Sequence, residues 1–154
     1  ANNGGRIVSS YNMSVGVNLL FKLVGEAART LGLDYDCEII EMHHNQKKDA
    51  PSGTAVRLAE VVCEARGWNY GTDVRHGREG LVGARTKHEI GMHSLRGGTV
   101  AGVHEVSFFG QDEEVTLTHR ATSRQIFVNG ALAAAQKLIT RDPGFYTFDQ
   151  VMFA

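Results

Sequence analysis

No two of the 18 glycines in this sequence stand at positions i and i+2. The Gly-x-Gly-x-x-Gly turn that cradles a dinucleotide pyrophosphate therefore cannot occur. A P-loop Gly-Lys-Ser/Thr is missing as well, so any nucleotide used by this chain has most of its site elsewhere. Cysteine is scarce: Cys37 and Cys63 form no Cys-x-x-Cys pair and are expected to be buried, reduced thiols of a cytoplasmic protein. The seven histidines offer neither His-x-x-x-His nor His-Glu-x-x-His spacing, so no metal site is expected. No apolar run approaches the roughly 20 residues that span a bilayer. Positive charge is not in excess, and a formal net charge of -1 argues against a general nucleic-acid surface. No Gly-x-Ser-x-Gly elbow, internal repeat or low-complexity tract is present.

What is present fits a soluble globular protein of one ordinary domain: 154 residues, 42% hydrophobic and 21% charged. The first residue is Ala rather than Met, and the opening Ala1-Asn2-Asn3-Gly4-Gly5 is polar and carries no signal-peptide pattern. A piece cut from a longer chain within a loop has this form, and so has a processed terminus.

Helix and strand patterns alternate. Ser14 to Leu31 carries Val17, Leu20, Val24, Ala28 and Leu31 at helical spacing, with Gly32 as a stop. Tyr35 to Met42 reads as a strand. Ser52 to Arg66 reads as a second helix, with Ala55, Leu58, Ala59, Val62 and Ala65 on one face. Trp68 to Lys87 is rich in Gly and Arg and shows little periodicity, which predicts a long functional or interfacial excursion. Three strand-like runs follow at 88–95, 99–109 and 113–121, and the intervening Arg96-Gly97-Gly98 and Gly110-Gln111-Asp112 predict hairpin turns. A third helix is expected from about Ser123 to Ile139, with Phe127, Ala131, Ala134 and Leu138 as its stripe. An aromatic tail then runs from Phe145 to Phe153. The order implies an α+β fold: a mixed, largely antiparallel sheet with helices on one face, the other face free for another subunit.

Chemistry is concentrated in Glu41-Met-His-His-Asn-Gln-Lys-Lys-Asp-Ala-Pro-Ser-Gly-Thr54. Pro51 biases Ala50 toward an extended shape, Ser52 can cap a helix, and Gly53 lets a ligand approach the backbone. Unpaired N–H groups at a helix start favour anions, and imidazoles and ammonium groups beside them suggest a small carboxylate with a proton donor at hand. Each element also has a plain reading. His43 and His44 point to opposite faces of an extended strand, so one can be structural and the other solvated. Lys47 and Lys48 can be a solvated turn, and Ser52 a cap without a ligand.

The run Glu41–Ala55 resembles the signature of the dihydrodipicolinate reductase family, roughly Glu-x-His-His-x-x-Lys-x-Asp-x-Pro-Ser-Gly-Thr, at every fixed position. Ser10–Asn18 resembles that family's crossover from cofactor domain to substrate domain. Arg78-Glu79-Gly80, Arg96-Gly97-Gly98, Gly102-Val103-His104 and His119-Arg-Ala-Thr-Ser-Arg124 resemble its later motifs in order, so the likeness covers nearly the whole chain. The resemblance implies NADH- or NADPH-dependent reduction of a cyclic dicarboxylate, made from aspartate semialdehyde and pyruvate, to tetrahydrodipicolinate. This is a step of lysine and diaminopimelate biosynthesis, carried out by a cytoplasmic homotetramer.

Carried over residue by residue, the resemblance makes His43 the general acid and Lys47 a second proton donor. His44 and Lys47 hold substrate, and Ser52, Gly53 and Thr54 bind a carboxylate. Ser10, Tyr11, Asn12 and Met13 touch the nicotinamide end of the cofactor, and Arg124 approaches the cleft from the domain junction. The family's Rossmann domain is not matched. Residues 1–13 are thus expected to be the crossover segment, 14–122 the substrate-binding and oligomerisation domain, and 123–154 a helix and tail that pack on the cofactor domain. Such a chain is expected not to turn over alone. A non-catalytic dicarboxylate-binding module, or the substrate domain of another amino-acid dehydrogenase, is the alternative.

Overall fold

Helical spacing of Leu20, Val24 and Ala28, continued by the alternation of Cys37 and Ile39, predicts a helix packed over a strand, and the chain folds accordingly. In the computed structural model of the protein, residues 4–154 are described. Of the crossover segment expected over 1–13, residues 1–3 lie outside the described residues. In chain order the elements are β1 (Arg6–Ser9), α1 (Val15–Leu31), a short 3-10 turn, β2 (Asp36–His43), α2 (Gly53–Arg66), α3 (Tyr70–Asp73), β3 (Val74–His76), β4 (Ile90–Arg96), β5 (Gly102–Phe109), β6 (Glu114–Ala121), α4 (Gln125–Leu138), β7 (Gly144–Thr147) and α5 (Phe148–Met152). Among the described residues no helix is long and apolar enough to cross a membrane.

The chain divides into two compact units: residues 20–122, and the stretch up to residue 19 together with 123–154. The larger unit holds a five-stranded sheet in the order β3-β4-β2-β5-β6. β2 pairs with β5, and β5 with β6, in antiparallel fashion, whereas β4 runs parallel to β2 and to β3. The sheet is mixed, as expected. Leu20, Val24 and Ala28 of α1, and Ala55, Leu58, Ala59 and Val62 of α2, bury one core with Cys37, Ile39, Ile90, Met92, Val106 and Phe108. Burial pushes the Cys37 thiol up to about 12, and both cysteines are free and buried.

Two sequence expectations change here. Arg96-Gly97-Gly98 is not a hairpin turn, because β2 lies between β4 and β5. The turn instead closes on the end of β2, where the Gly97 N–H donates to the His43 carbonyl and the Asn45 N–H to that of Gly98. The turn at 110–112 does join neighbouring strands, β5 and β6. The Gly/Arg-rich excursion begins with α3 and β3 before losing regular structure.

The smaller unit pairs β1 in parallel with β7 and buries Ala134, Leu138, Phe148 and Val151. The aromatic tail thus supplies a strand, a helix and a core residue. The buried stripe of α4 is Gly130, Ala134 and Leu138, while Ala131 of the expected stripe is exposed. The physical reason is close approach: a Cβ on Gly130 would stand 1.8 Å from the Met13 carbonyl oxygen, so α4 lies directly on backbone there.

Candidate active site

Alternation along β2 puts Cys37, Ile39, Glu41 and His43 on one face, the one covered by helices. Register across the sheet extends each position into a row. Cys37 lies beside Ile90 and Phe108, and Ile39 beside Met92 and Val106. The next row is Ser94, Glu41, His104 and His119, and beyond it His43 stands beside Arg96. A face that is apolar for two rows thus becomes ionisable in the third, where the first turn of α2 arrives.

Glu41 is the centre of this change. It is fully buried, which is costly for a carboxylate unless its oxygens are paired. Arg96 grips it in a two-pronged pair, Nη2 to Oε1 at 2.7 Å and Nη1 to Oε2 at 2.8 Å. The Ser52 N–H donates to Oε1 at 3.1 Å, and His43 Nδ1 lies 2.6 Å from Oε2. Burial pushes the Glu41 carboxyl up, but the hydrogen bonds from Arg96 and His43 outweigh it and hold it at about 2. Arg96 also donates to the Asp49 carbonyl at 2.8 Å and so ties the loop after β2 to the same carboxylate.

Ser52 caps α2 as expected, its Oγ accepting the Ala55 N–H at 3.2 Å. Its hydroxyl lies 2.9 Å from His104 Nε2. Burial, reinforced by the neighbouring His43, lowers His104 to about 4, so this ring is neutral at ordinary pH. Its Nδ1 is buried without a hydrogen-bond partner among the described residues. The His43 and His104 rings meet edge to face, 5.2 Å between centroids. Burial also lowers His43, opposed by Glu41 and assisted by Lys47 and Arg96. Gly53, at the helix start, has open space where a side chain would stand, and Thr54 is buried beside it.

The residues singled out in the sequence therefore meet in part. His43, Ser52 and the start of α2 share the Glu41 hub. Lys47 sits in the loop between them with its Nζ on both oxygens of Asp49, at 2.8 and 3.0 Å. The His44 side chain follows the last ladder residue and makes no hydrogen bond among the described residues. Ser10 and Asn12 lie in the smaller unit and hold each other: Ser10 Oγ donates to the Asn12 carbonyl, and Asn12 Oδ1 accepts the Ser14 N–H. Tyr11 is well exposed in that turn. Arg124 stands at the start of α4, in the smaller unit too.

Sequence reasoning gave no role to Glu41, Arg96 or His104. Glu41 carried a signal, a lone carboxylate on the apolar face of a strand. Arg96 and His104 carried only their place in motifs that resemble the family's, since both reach the site because β2 separates β4 from β5.

Three comparisons agree. A family model described as "Dihydrodipicolinate reductase, C-terminus" matches residues 16–152. A 4-hydroxy-tetrahydrodipicolinate reductase of Geobacter metallireducens is 51% identical over 141 residues, 92% of this chain and 53% of the relative. That of Syntrophotalea carbinolica is 50% identical over 146 residues, 95% of this chain and 55% of the relative. The solved structure of a dipicolinate-bound dihydrodipicolinate reductase from Paenisporosarcina sp. TG-14 superposes with a TM-score of 0.74 at 29% identity, covering 98% of this chain and 56% of that one. The chain spans about half the length of the curated relatives it matches, and it belongs to the dihydrodipicolinate reductase family, whose C-terminal part it represents.

Proposed function

We propose that this chain is the substrate-binding part of an NADH- or NADPH-dependent 4-hydroxy-tetrahydrodipicolinate reductase of lysine and diaminopimelate biosynthesis, working in the cytoplasm. The observation that carries this reading is the convergence of His43 and the start of α2 on the buried Glu41, within the segment that matches the family signature. A dianionic substrate needs donors and cations around its carboxylates, and a hydride added to its ring needs a proton at the neighbouring position. Gly53 and Thr54 offer the helix start to one carboxylate, with Ser52 fixing the turn. Lys47 exchanges Asp49 for the substrate, and His44 closes beside it. His43 supplies the proton, and Lys47 is the second donor.

The reduced nicotinamide cofactor supplies the hydride when bound. The residues of this chain fit only its nicotinamide end. The turn at Ser10–Met13 is rigid and internally bonded, and presents the Tyr11 ring. No glycine pair suited to the pyrophosphate is present. That absence favours a second reading for the chain alone, a dicarboxylate-binding module without turnover. In the reductase reading the segment at 123–154 packs on the cofactor domain, with Arg124 approaching the cleft from the domain junction.

Assembly into a homotetramer through the sheet face opposite the helices accords with exposed Leu95 and Phe109 on that face. Light scattering should give four times the mass of the chain, and a monomer at micromolar concentration would refute the assembly.

Calorimetry with pyridine-2,6-dicarboxylate tests the central claim. Binding to this chain is expected, with Lys47→Ala weakening it about tenfold, the weight of one charge-assisted contact. Equal binding by both proteins would put the dicarboxylate elsewhere. Mixed with substrate and NADH or NADPH, the chain alone should leave the absorbance of the reduced cofactor unchanged. Steady oxidation would remove the second reading.

A further inference from the structure

We propose that Glu41 is the positioning residue of this site: it holds His43 in the tautomer that carries its proton on Nδ1, so that Nε2, beside Gly102, is the atom that exchanges protons with a ligand. The use of that proton in reduction rests on the function proposed above, whereas the tautomer does not.

The geometry carries it in three steps. Residues 41 and 43 are two apart on a strand and share a face, which brings His43 Nδ1 to 2.6 Å from Glu41 Oε2. An ionised carboxylate only accepts hydrogen bonds, so Nδ1 must be the donor and Nε2 the unprotonated nitrogen of the neutral ring. The carboxylate in turn cannot follow the ring, because Arg96 and the Ser52 N–H hold it from two other directions. The ring is therefore aimed by a fixed partner.

Second, Nε2 is left unbonded. It has no hydrogen-bond partner among the described residues, and Gly102 lies across from it on β5. A Cβ at Gly102 would stand 3.1 Å from Nε2 and 3.5 Å from Cδ2. A histidine whose task is only to satisfy a buried carboxylate gains nothing from a second nitrogen left without a partner.

Third, the charges facing the ring act in different directions. Lys47 from the loop and Arg96 from β4 disfavour the imidazolium, burial does the same, and Glu41 favours it. His104, on β5, meets the ring edge to face while neutral and adds no charge at ordinary pH. Glu41 is thus the group facing the ring that favours its protonated form.

The test is a two-bond nitrogen–proton NMR correlation on the chain with 15N-labelled histidines, at about pH 8, where an ordinary imidazole is neutral. The His43 signals are assigned by their loss in His43→Gln. The expected pattern is a protonated Nδ1 and a bare Nε2. Glu41→Gln should shift the population toward Nε2–H and move the His43 titration to lower pH. A wild-type ring with its proton on Nε2 overturns the proposal, and so does a Glu41→Gln protein that retains both the Nδ1–H form and the wild-type titration. If Glu41→Gln fails to fold, the wild-type spectrum decides alone. An Nδ1–H ring in a chain that does not bind pyridine-2,6-dicarboxylate would sink the dicarboxylate reading and leave the positioning role intact.

Discussion

Strand β2 carries two glutamates three residues apart, on opposite faces, each held by arginine and histidine, and they have different ends. Glu38 faces away from the helices. Arg78 grips it with both Nη atoms at 3.0 and 2.8 Å, Arg85 Nε lies at 2.9 Å, and His93 Nε2 at 2.9 Å. Those groups have further partners: Arg78 reaches Glu89, and Arg85 reaches Asp36 and the carbonyls of Cys37, Thr86 and Glu89. Gly91 opposes Glu38 in register, and a Cβ there would meet its carboxylate at 1.8 Å, so the glycine makes room for the cluster. The arginine arms all end on protein, and the result is a clasp that holds the Gly/Arg-rich excursion to the sheet.

The Glu41 cluster has similar parts, but one of its nitrogens, His104 Nδ1, is fully buried without a partner among the described residues. Arginine–glutamate–histidine clusters therefore do not by themselves mark a functional site. What sets the Glu41 cluster apart is a buried nitrogen without a partner on a ring that touches the cap of a helix start.

The comparison breaks most readily at the two histidines. In a form that also carries the half found in the relatives, His43→Gln should lower kcat by about 10²–10⁴-fold, the usual contribution of a positioned acid, with a smaller change in KM. His93→Gln, the matching change on Glu38, should leave kcat within a few-fold. Steady-state kinetics on both variants decide it, and equal losses would erase the distinction between clasp and site.

The arginines sharpen the comparison on stability. Arg96→Ala leaves a fully buried carboxylate short of its bidentate partner, which typically costs about 3–5 kcal/mol. Arg78→Ala leaves Glu38 with Arg85 and His93 and partial access to water, so a loss of roughly 1–2 kcal/mol is expected. Urea unfolding measures both. A larger loss for Arg78→Ala would mean that the clasp, not the site, is the costlier place to strand a charge.

This contrast marks where the sequence was legible. Periodicity located α1, β2 and α2, because each buries a regular face, and the cap at Ser52 was readable from local chemistry alone. The signature segment named His43, Lys47 and the helix start for the same reason: they are close in sequence. Strand order was not readable. A parallel β4 beside β2 is a long-range choice, and with it came Arg96 and His104, 55 and 63 positions beyond Glu41. In α4 the stripe was displaced because Gly130, which has no side chain to count as apolar, makes the closest contact.

The smallest expected effect concerns pH, and it separates the imidazoles of the Glu41 cluster from the carboxylates of both clusters by window. His104 sits at about 4 in the folded chain against an ordinary value near 6.5, so the unfolded chain takes its proton first as pH falls. Its neutral burial is therefore fully favourable above about 6.5, and stability declines from there to about 4. His43 and His119, both lowered by burial first, add to the upper part of that decline. Glu38 and Glu41 are held at about 2 against an ordinary 4.5, so their contribution is present above 4.5 and is lost as pH falls toward 2. Urea midpoints measured stepwise between about pH 8 and pH 3 should show loss beginning above the carboxylate window. His104→Asn keeps an acceptor near Ser52 and removes one titrating ring, so it should make the upper decline shallower and leave the lower one unchanged. A wild-type protein of constant stability from about pH 7 to pH 5 would show that the imidazoles of the Glu41 cluster titrate as freely as surface histidines, and would remove the electrostatic contrast between the two faces of β2.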